Sequence, residues 1–431
     1  MSVPFAVYGF LAEVLFPLFR ERLRRKNGVG FDERCGIYDA GKREALARMQ
    51  RRRLWLHAVS VGEVQAAAPI VEVGARSGLE GALLLSTVTV TGRRHAEALM
   101  KDRVFSYVYA PWDVPSIVRR ACGMLAPSLY ATVETEIWPN LLRELKSRGV
   151  HTCLLNARVS DRVWSRSRAV HGLARLGYDL FDGILARGEE DARRLCMMGL
   201  REEKIHVVGD CKVDAIVARR AEADVRLPSL KKRLMLDEAS PLFVAGSTHE
   251  GEEAVVLEAF SRLVSLGGVF TGARLVVAPR HPERAEAVAA SLAKYGRTVL
   301  FSRLGDLKGE EAAPSIVVVD EIGVLFDLYG LATSAFVGGS LVPRGGQNIL
   351  EPAIWGIPVL HGPYMDDFAE PTARLDEDGR AYPIVSAEAL AGLWRRAFEG
   401  TLSGDGAPER GYFSERSGAA ERTWAYLRRH L

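Results

Sequence analysis

The sequence is short of the features that mark a specialised class of protein. Its 431 residues hold only five cysteines, Cys35, Cys122, Cys153, Cys196 and Cys211. They are scattered and odd in number, with no C-x-x-C pair and no Cys/His cluster at metal spacing. This excludes a disulfide framework and a structural zinc, and is the pattern of a reducing compartment. Each cysteine reads as a small packing residue. A charge of one sign is also lacking. The 57 Lys and Arg against 54 Asp and Glu leave a formal +3, so no whole-molecule case for a nucleic-acid partner arises. Neither G-x-G-x-x-G with a following acid nor G-x-x-x-x-G-K-[ST] occurs, which disfavours ordinary dinucleotide and P-loop sites. No repeat of 20–50 residues and no low-complexity segment stands out.

Long hydrophobic runs are missing too, with one exception at the N-terminus. "VPFAVYGFLAEVLFPLF" (3–19) is apolar apart from Glu13, and "RERLRRK" (20–26) follows at once. "QRRR" (50–53) adds a second basic run. A helix of that length reaches about 26 Å, short of the roughly 30 Å hydrocarbon core. No basic residues precede it and no small-residue cleavage site follows, so it is not a signal peptide. It reads as a monotopic anchor whose arginines meet anionic headgroups. The alternative is a buried N-terminal helix capped by solvated arginines, since Glu13 and Pro17 suit lipid poorly.

What is present is globular. The 48% hydrophobic and 26% charged content is that of a folded chain, and the length implies two domains. Short apolar runs at 54–60, 81–88, 105–111, 128–134, 151–157 and 183–188 read as strands between helical stretches such as 64–76, 92–101 and 138–148. The rhythm pauses in the charged "ADVRLPSLKKRLMLDEAS" (223–240). It resumes with strands at 241–247, 273–280, 297–302, 315–320, 334–340 and 358–363. This is the β-α-β pattern of parallel sheets covered on both faces. The expectation is an α/β protein of two doubly wound domains joined near 215–235, their strand ends facing across a cleft. The expected segments are an anchor over 1–26, domains over 27–218 and 219–418, and an amphipathic terminal helix over 419–431.

Candidate chemistry lies where strands end. "HAVSVGEVQAAAP" (57–69) places Ser60, Gly62 and Glu63 between a strand and a helix. Backbone N–H groups there could receive an anion, or Ser60 and Glu63 could form a plain capping box. "VETEIWPN" (133–140) carries Glu134 and Glu136, two apart and on one face of an extended segment. They could hold a ligand hydroxyl or act as a base, or be solvated loop acids and helix caps. "AGSTHEGEE" (245–253) offers Ser247 and His249 after a strand. "VVAPRHPER" (276–284) ends a strand in Arg280 and His281, suited to a nucleotide, although Arg280 could equally cap a helix or pair with Glu283. In "LVPRGGQNILEPAIWGIPVLHG" (341–362), Gly345 and Gly346 precede an expected helix. The glycines either admit a ligand close to the backbone or make a tight turn. Asn348 would N-cap that helix at capping-box spacing from Glu351, and Glu351 shares a face with it where it could accept ribose hydroxyls.

Taken together, "HAVSVGE", "VETEIWPN", "LLNARVS", "AGSTHEGEE", "APRHPER" and "FVGGSLVPRGGQNILEPA", in order along residues 28–370, resemble the 3-deoxy-D-manno-oct-2-ulosonic acid (Kdo) transferases of lipopolysaccharide assembly. The resemblance implies a GT-B glycosyltransferase with two facing Rossmann-like domains, attached to the cytoplasmic side of the inner membrane. Such an enzyme moves Kdo from CMP-Kdo to a lipid A precursor, inverting the anomeric centre with no metal or other cofactor. It implies that Glu33, in "GFDERCG" (30–36), is the general base, although Glu33 could also be a surface residue paired with Arg34 or a neighbour. It assigns CMP-Kdo contacts to Arg280, His281, Gly345, Gly346, Asn348 and Glu351. It puts Ser60, Gly62, Glu63, Glu134, Glu136, Lys212 (in "GDCKVD") and Ser247 in the donor or acceptor cleft. Gln347 departs from the His expected in "GGQN", so a contact is all it is assigned. Leaving-group stabilisation would then fall to helix N-termini and Arg280. The competing readings are a GT-B glycosyltransferase or epimerase using a UDP-sugar, and a non-catalytic nucleotide-sugar-binding protein.

Overall fold

The computed structural model describes residues 3–26, 28–49, 52–79, 81–159, 164, 168–237, 240–306, 315–402 and 411–431. Residues 50–51 of the second basic run and 238–239 of the charged stretch lie outside them. The chain divides into two compact units, Met1–Ala215 with Arg416–Leu431, and Ile216–Glu415. Among the described residues each unit is built on one seven-stranded sheet in which every pairing is parallel.

The first sheet comprises β1 (Leu54–His57), β2 (Leu83–Thr87), β3 (Ser106–Tyr109), β4 (Leu129–Val133), β5 (His151–Ala157), β6 (Gly183–Ala186) and β7 (Ile205–Val207). Its order is β3-β2-β1-β4-β5-β6-β7. The inner strands are mainly apolar and buried because both faces are covered: Leu54 and Leu56 enter one core, and Trp55 between them enters the other. Strand order reverses between β1 and β4, so the helices that follow them leave to opposite sides and open a crevice at the carboxyl edge. The last helix, Ala419–Leu427, returns to this unit and seats Trp424 and Leu427 in the same core as Leu54. Its N-terminus is capped by Asp214, whose carboxylate accepts from Gly418 N and Ala420 N, each at 2.7 Å.

The second sheet comprises β8 (Leu242–Thr248), β9 (Arg274–Pro279), β10 (Thr298–Leu300), β11 (Ile316–Val318), β12 (Ser334–Val337), β13 (Val359–His361) and β14 (Ala381–Pro383). Its order, β10-β11-β9-β8-β12-β13-β14, puts the reversal between β8 and β12. Phe243 and Ala245 enter one core while Leu242 and Val244 enter the other. All the strands expected from the sequence are present. The two not expected, β7 and β14, are three-residue edge strands that are only partly buried, and so carry no apolar run to announce them.

The N-terminal helix, Val3–Lys26, is neither buried nor detached. It docks through Gly9, where an added Cβ would come within 2.8 Å of Asn140 Oδ1, and through Glu13. The Glu13 carboxylate accepts from Ser116 N at 2.9 Å, at the start of the helix Pro115–Leu125, so the charge that seemed wrong for lipid serves a helix N-terminus. Val7, Phe10, Leu11, Val14 and Leu18 form an exposed stripe on the other side, Phe10 at 67% and Leu18 at 75% exposure. Among the described residues no helix is long and apolar enough to cross a membrane. Four cysteines are buried, as packing residues should be, but Cys196 is exposed.

Candidate functional site

The reversal in the first sheet gathers several of the sequence candidates. After β1, Ser60 caps the helix Val61–Arg76, its Oγ accepting from Glu63 N at 3.4 Å and donating to Glu63 Oε1 at 3.1 Å. Glu63 Oε2 accepts from Val59 N at 2.8 Å. The capping reading therefore holds for both residues, and a Cβ on Gly62 would meet nothing closer than Ser60 Oγ at 4.0 Å. Glu63 is nevertheless 8% exposed. Burial pushes its carboxyl up to about 7; the Val59 N–H bond opposes this, and the charges of Glu136 and Glu134 add to it. Glu136 is also raised, by burial first. The two acids do not lie on an extended segment, as the sequence suggested. Glu134 has φ 66°, held there by its N–H bond to Leu155 O at 2.8 Å, and its carboxylate pairs with the Lys212 ammonium. The three carboxylates and Lys212 thus belong to one edge, at the ends of strands far apart in sequence.

Glu33 lies at the same edge, beside β3. It sits on a single helical turn, Phe31–Arg34, entered through Gly30 at φ 70°. A Cβ on Gly30 would overlap the Tyr109 ring at 1.9 Å, so only glycine lets this turn lie on the end of β3. Glu33 Oε1 pairs with the Lys42 ammonium, and Oε2 accepts from Tyr109 N at 2.8 Å. Lys42 also donates to Tyr107 O at 2.9 Å. The neighbour considered from the sequence, Arg34, is not the partner. Its guanidinium donates to Val88 O and stacks over Tyr109 at 4.5 Å. Each carboxylate oxygen has two lone-pair sites, these bonds use one on each, and the side chain is 18% exposed. Nothing in the sequence points to Lys42, because only the docking of its helix (Ala40–Arg48) brings it near.

In the second unit the candidates again follow β8, β9 and β12. Ser247 has φ 55° where the β8–β9 register shifts. A Cβ on Gly338 would lie 2.3 Å from Ser247 O, so the ends of β8 and β12 touch backbone to backbone. Arg280 is exposed, its N–H bonded to Thr248 O at 2.9 Å. The neighbour near Glu283 is His281, at 3.6 Å and 57% exposed, not Arg280. His249 packs edge-on against His281 at 6.2 Å, and burial lowers its pKa.

The glycine pair packs first against the chain itself. Gly345 and Gly346 have φ 80° and 77°, and their Cβ positions would lie 2.5 Å from Asp367 Oδ2 and 2.4 Å from Met365 Sδ. The chain's own segment 365–367 fills the space, and Asp367 N bonds Gly345 O at 2.9 Å. This is the tight-turn alternative. The helix that follows is only Leu350–Ala353 and Asn348 is not its N-cap; Asn348 Oδ1 instead accepts from Leu350 N at 3.2 Å. Glu351 pairs with Arg219 at 3.3 Å, while burial raises its pKa against that pairing. Gln347 is half-buried beside this loop.

Sequence reasoning passed over Glu252. It is fully buried, and its carboxylate accepts four backbone N–H groups. Oε2 takes His249 at 2.8 Å and Gly339 at 2.7 Å; Oε1 takes Ser340 at 3.0 Å and Leu341 at 2.9 Å. One side chain therefore ties the loop after β12 to the loop after β8, at the strand-order reversal. The second glutamate of "GEE", Glu253, accepts from Thr248 Oγ1 at 3.1 Å and Arg284 at 3.0 Å. A Glu at the first turn of a helix is so ordinary that the sequence carries no sign of this role.

Comparison with known proteins adds independent observations. Residues 29–215 match the family model described as 3-deoxy-D-manno-octulosonic-acid transferase (kdotransferase). A 3-deoxy-D-manno-octulosonic acid transferase of Haemophilus influenzae is 30% identical over 427 residues, 98% of this chain and 94% of that one. The protein of the same name from Bordetella pertussis is 32% identical over 327 residues, covering 74% of this chain and 72% of its own. Among solved structures, the UDP-GlcNAc 2-epimerase of Neisseria meningitidis, bound to UDP-GlcNAc, has a TM-score of 0.63 over 88% of this chain and 100% of that one. At 11% identity it shows the fold alone. Nearly full-length similarity at 30% identity is a statement about the whole chain, and by it the chain belongs to the family of 3-deoxy-D-manno-octulosonic acid transferases.

Proposed function

We propose that the protein is an inverting glycosyltransferase that moves Kdo from CMP-Kdo to a hydroxyl of a lipid A precursor of the lipid IVA type, with Glu33 as general base and no metal or other cofactor. Family membership over almost the whole chain carries the reading. The fixed position of Glu33 supports the assignment of the base. Lys42 and Tyr109 N–H hold its carboxylate still, and each oxygen keeps a lone pair for a hydroxyl proton. In the step, the acceptor oxygen bonds the anomeric carbon from the face opposite CMP. The bond from that carbon to the phosphate oxygen breaks, CMP leaves with the electron pair, and the acceptor proton passes to Glu33.

The second unit holds the donor. Arg280 and His281, exposed after β9, meet the phosphate and nucleoside, with Ser247, Asn348, Gln347 and the backbone of Gly345–Gly346 beside them. Glu351 takes the ribose hydroxyls while still paired to Arg219. Ser60, Gly62, Glu134, Glu136 and Lys212 contact the sugars. Glu63, with its carboxyl near 7, supplies a hydrogen-bond donor when protonated at neutral pH. The protein works at the cytoplasmic face of the inner membrane. Support for this is the exposed stripe of the N-terminal helix, which runs into the arginines of 20–26.

The test is mass spectrometry of products from purified protein, CMP-Kdo and a tetraacylated lipid A precursor, with Glu33→Gln alongside. Kdo-modified lipid from the wild type, reduced 10²–10⁴-fold in the variant, is expected for loss of a general base. Equal activity in both removes Glu33 as base. A folded protein that binds CMP yet gives no product overturns the transferase reading, and turnover of a UDP-sugar alone overturns the choice of donor.

A further inference from the structure

The N-terminal helix covers a groove of about 540 Å³ between itself and the segments around Trp112 and Trp138, within the range of small-molecule sites. Its floor and walls are apolar, with Leu15 and Phe19 on the helix and the two tryptophans opposite. Residues lining it run from Tyr8 to Lys26, about 27 Å of helix. The far end changes character, because Arg22 and Lys26 line it there. The one acid in the lining, Asp113, accepts from Asn140 N at 3.1 Å and Leu141 N at 2.8 Å at the start of the helix Pro139–Ser147, where the positive helix N-terminus offsets its charge. A long apolar channel with two cations at one end is complementary to a chain-bearing anion. It also lies next to the turn that carries the proposed base. Trp112 N donates to Arg34 O at 2.9 Å and the Trp112 ring lies 5.6 Å from the Arg34 guanidinium, while Lys26 is seven residues before Glu33.

We propose that this groove binds one fatty-acyl chain of the phosphorylated acceptor lipid, with the lipid's phosphate on Arg22 and Lys26 and its sugar thereby presented toward Glu33. This rests on the reading of the acceptor as an acylated, phosphorylated saccharide. The helix then has two apolar faces with separate tasks: the Phe10–Leu18 stripe meets the bilayer surface, and the Leu15–Phe19 face takes a chain out of it.

The experiment is photolabelling of the full-length protein in detergent, with no CMP-Kdo, by a phosphorylated tetraacyl disaccharide carrying a diazirine at a chain end, followed by peptide mapping. Label on peptides holding Leu15–Lys26 and Trp112–Trp138 is expected, competed by the unlabelled lipid but not by its deacylated form or by inorganic phosphate. Ala12→Trp, which fills the groove from the helix side, should cut labelling about tenfold, the effect of roughly two methylenes left unburied. Arg22→Glu with Lys26→Glu should also cut it, and this pair alters only exposed side chains, so it remains informative should Ala12→Trp fail to fold. Label confined to the Phe10–Leu18 stripe, or competed equally by an uncharged lipid, overturns the proposal. Groove labelling without sugar transfer would defeat the transferase reading and leave the groove. Transfer without groove labelling would do the reverse.

Discussion

Replacing Glu252 by Gln tests how the second unit is held together. The substitution preserves shape but exchanges one carboxylate oxygen for an amide NH₂, which cannot accept. Whichever oxygen is lost, two backbone N–H groups go unpaired: His249 and Gly339 on one side, or Ser340 and Leu341 on the other. The site is fully buried, so water does not replace the bonds. At about 1–3 kcal/mol for each unsatisfied donor, the loss is roughly 2–6 kcal/mol from the second unit. With a urea slope of about 2 kcal/mol/M, the unfolding midpoint of that unit falls by about 1–3 M. Trp394, buried against Phe243, reports the transition, and hydrogen exchange at His249, Gly339, Ser340 and Leu341 should rise first. Glu253→Gln is the control, because its Oε1 serves Thr248 and Arg284 and an amide oxygen still accepts both. If Glu252→Gln unfolds within about 0.3 M of wild type with those amides equally protected, the carboxylate is not what ties the β8 and β12 loops together.

Three further outcomes are expected besides the loss of activity in Glu33→Gln. Burial raises Glu63 from 4.5 to about 7, so the folded chain keeps a proton that the unfolded chain has lost. The stability this contributes is present below about pH 4.5 and disappears as pH rises through about 7. Glu63→Gln should therefore gain on wild type between about pH 5 and about pH 8 in thermal unfolding, and a constant difference would refute the shift. Ser247→Gly relieves a left-handed residue that costs roughly 1–2 kcal/mol, so the second unit should become slightly more stable. CMP-Kdo affinity, measured by calorimetry, should fall in the same protein; unchanged affinity would remove Ser247 from the donor site. Finally, Phe10→Ser and Leu18→Ser should each weaken sedimentation with anionic vesicles at least tenfold, since each buries about 1.5–3 kcal/mol of apolar side chain. Added salt should weaken only the part due to the arginines, and vesicle binding that ignores both substitutions would take the stripe off the membrane.

Part of the site was legible because it depends on neighbours in sequence. Ser60 and Glu63 are three residues apart, and the capping box they form needs nothing else. The same is true of the strands. A run such as Leu242–Val244, apolar at every position, can be satisfied only by a sheet covered on both faces. A parallel sheet then puts the loop after each strand at one edge of its own unit, so Ser60 and Glu134 share the edge of the first sheet and Ser247 and Arg280 that of the second, whereas Glu33, which precedes β1, reaches its edge only by docking on the end of β3.

Tertiary structure decided everything that depends on which distant group arrives. Gly345 and Gly346 read as room for a ligand, with a tight turn as the alternative, and only the arrival of Met365 and Asp367 at their Cβ positions revealed the turn. Glu33 could have paired with Arg34, but the helix Ala40–Arg48 brought Lys42 instead. Glu252 looked like any first-turn acid until the β12 loop delivered three of its four donors. The N-terminal helix is apolar nearly all round, so periodicity offered no choice of face; small Gly9 and the capping carboxylate of Glu13 selected the docked side. Local patterning determines elements because hydrophobic burial and capping act over a few residues. Partners are chosen by packing between elements, and a single sequence carries no record of which donor or cation that packing will bring.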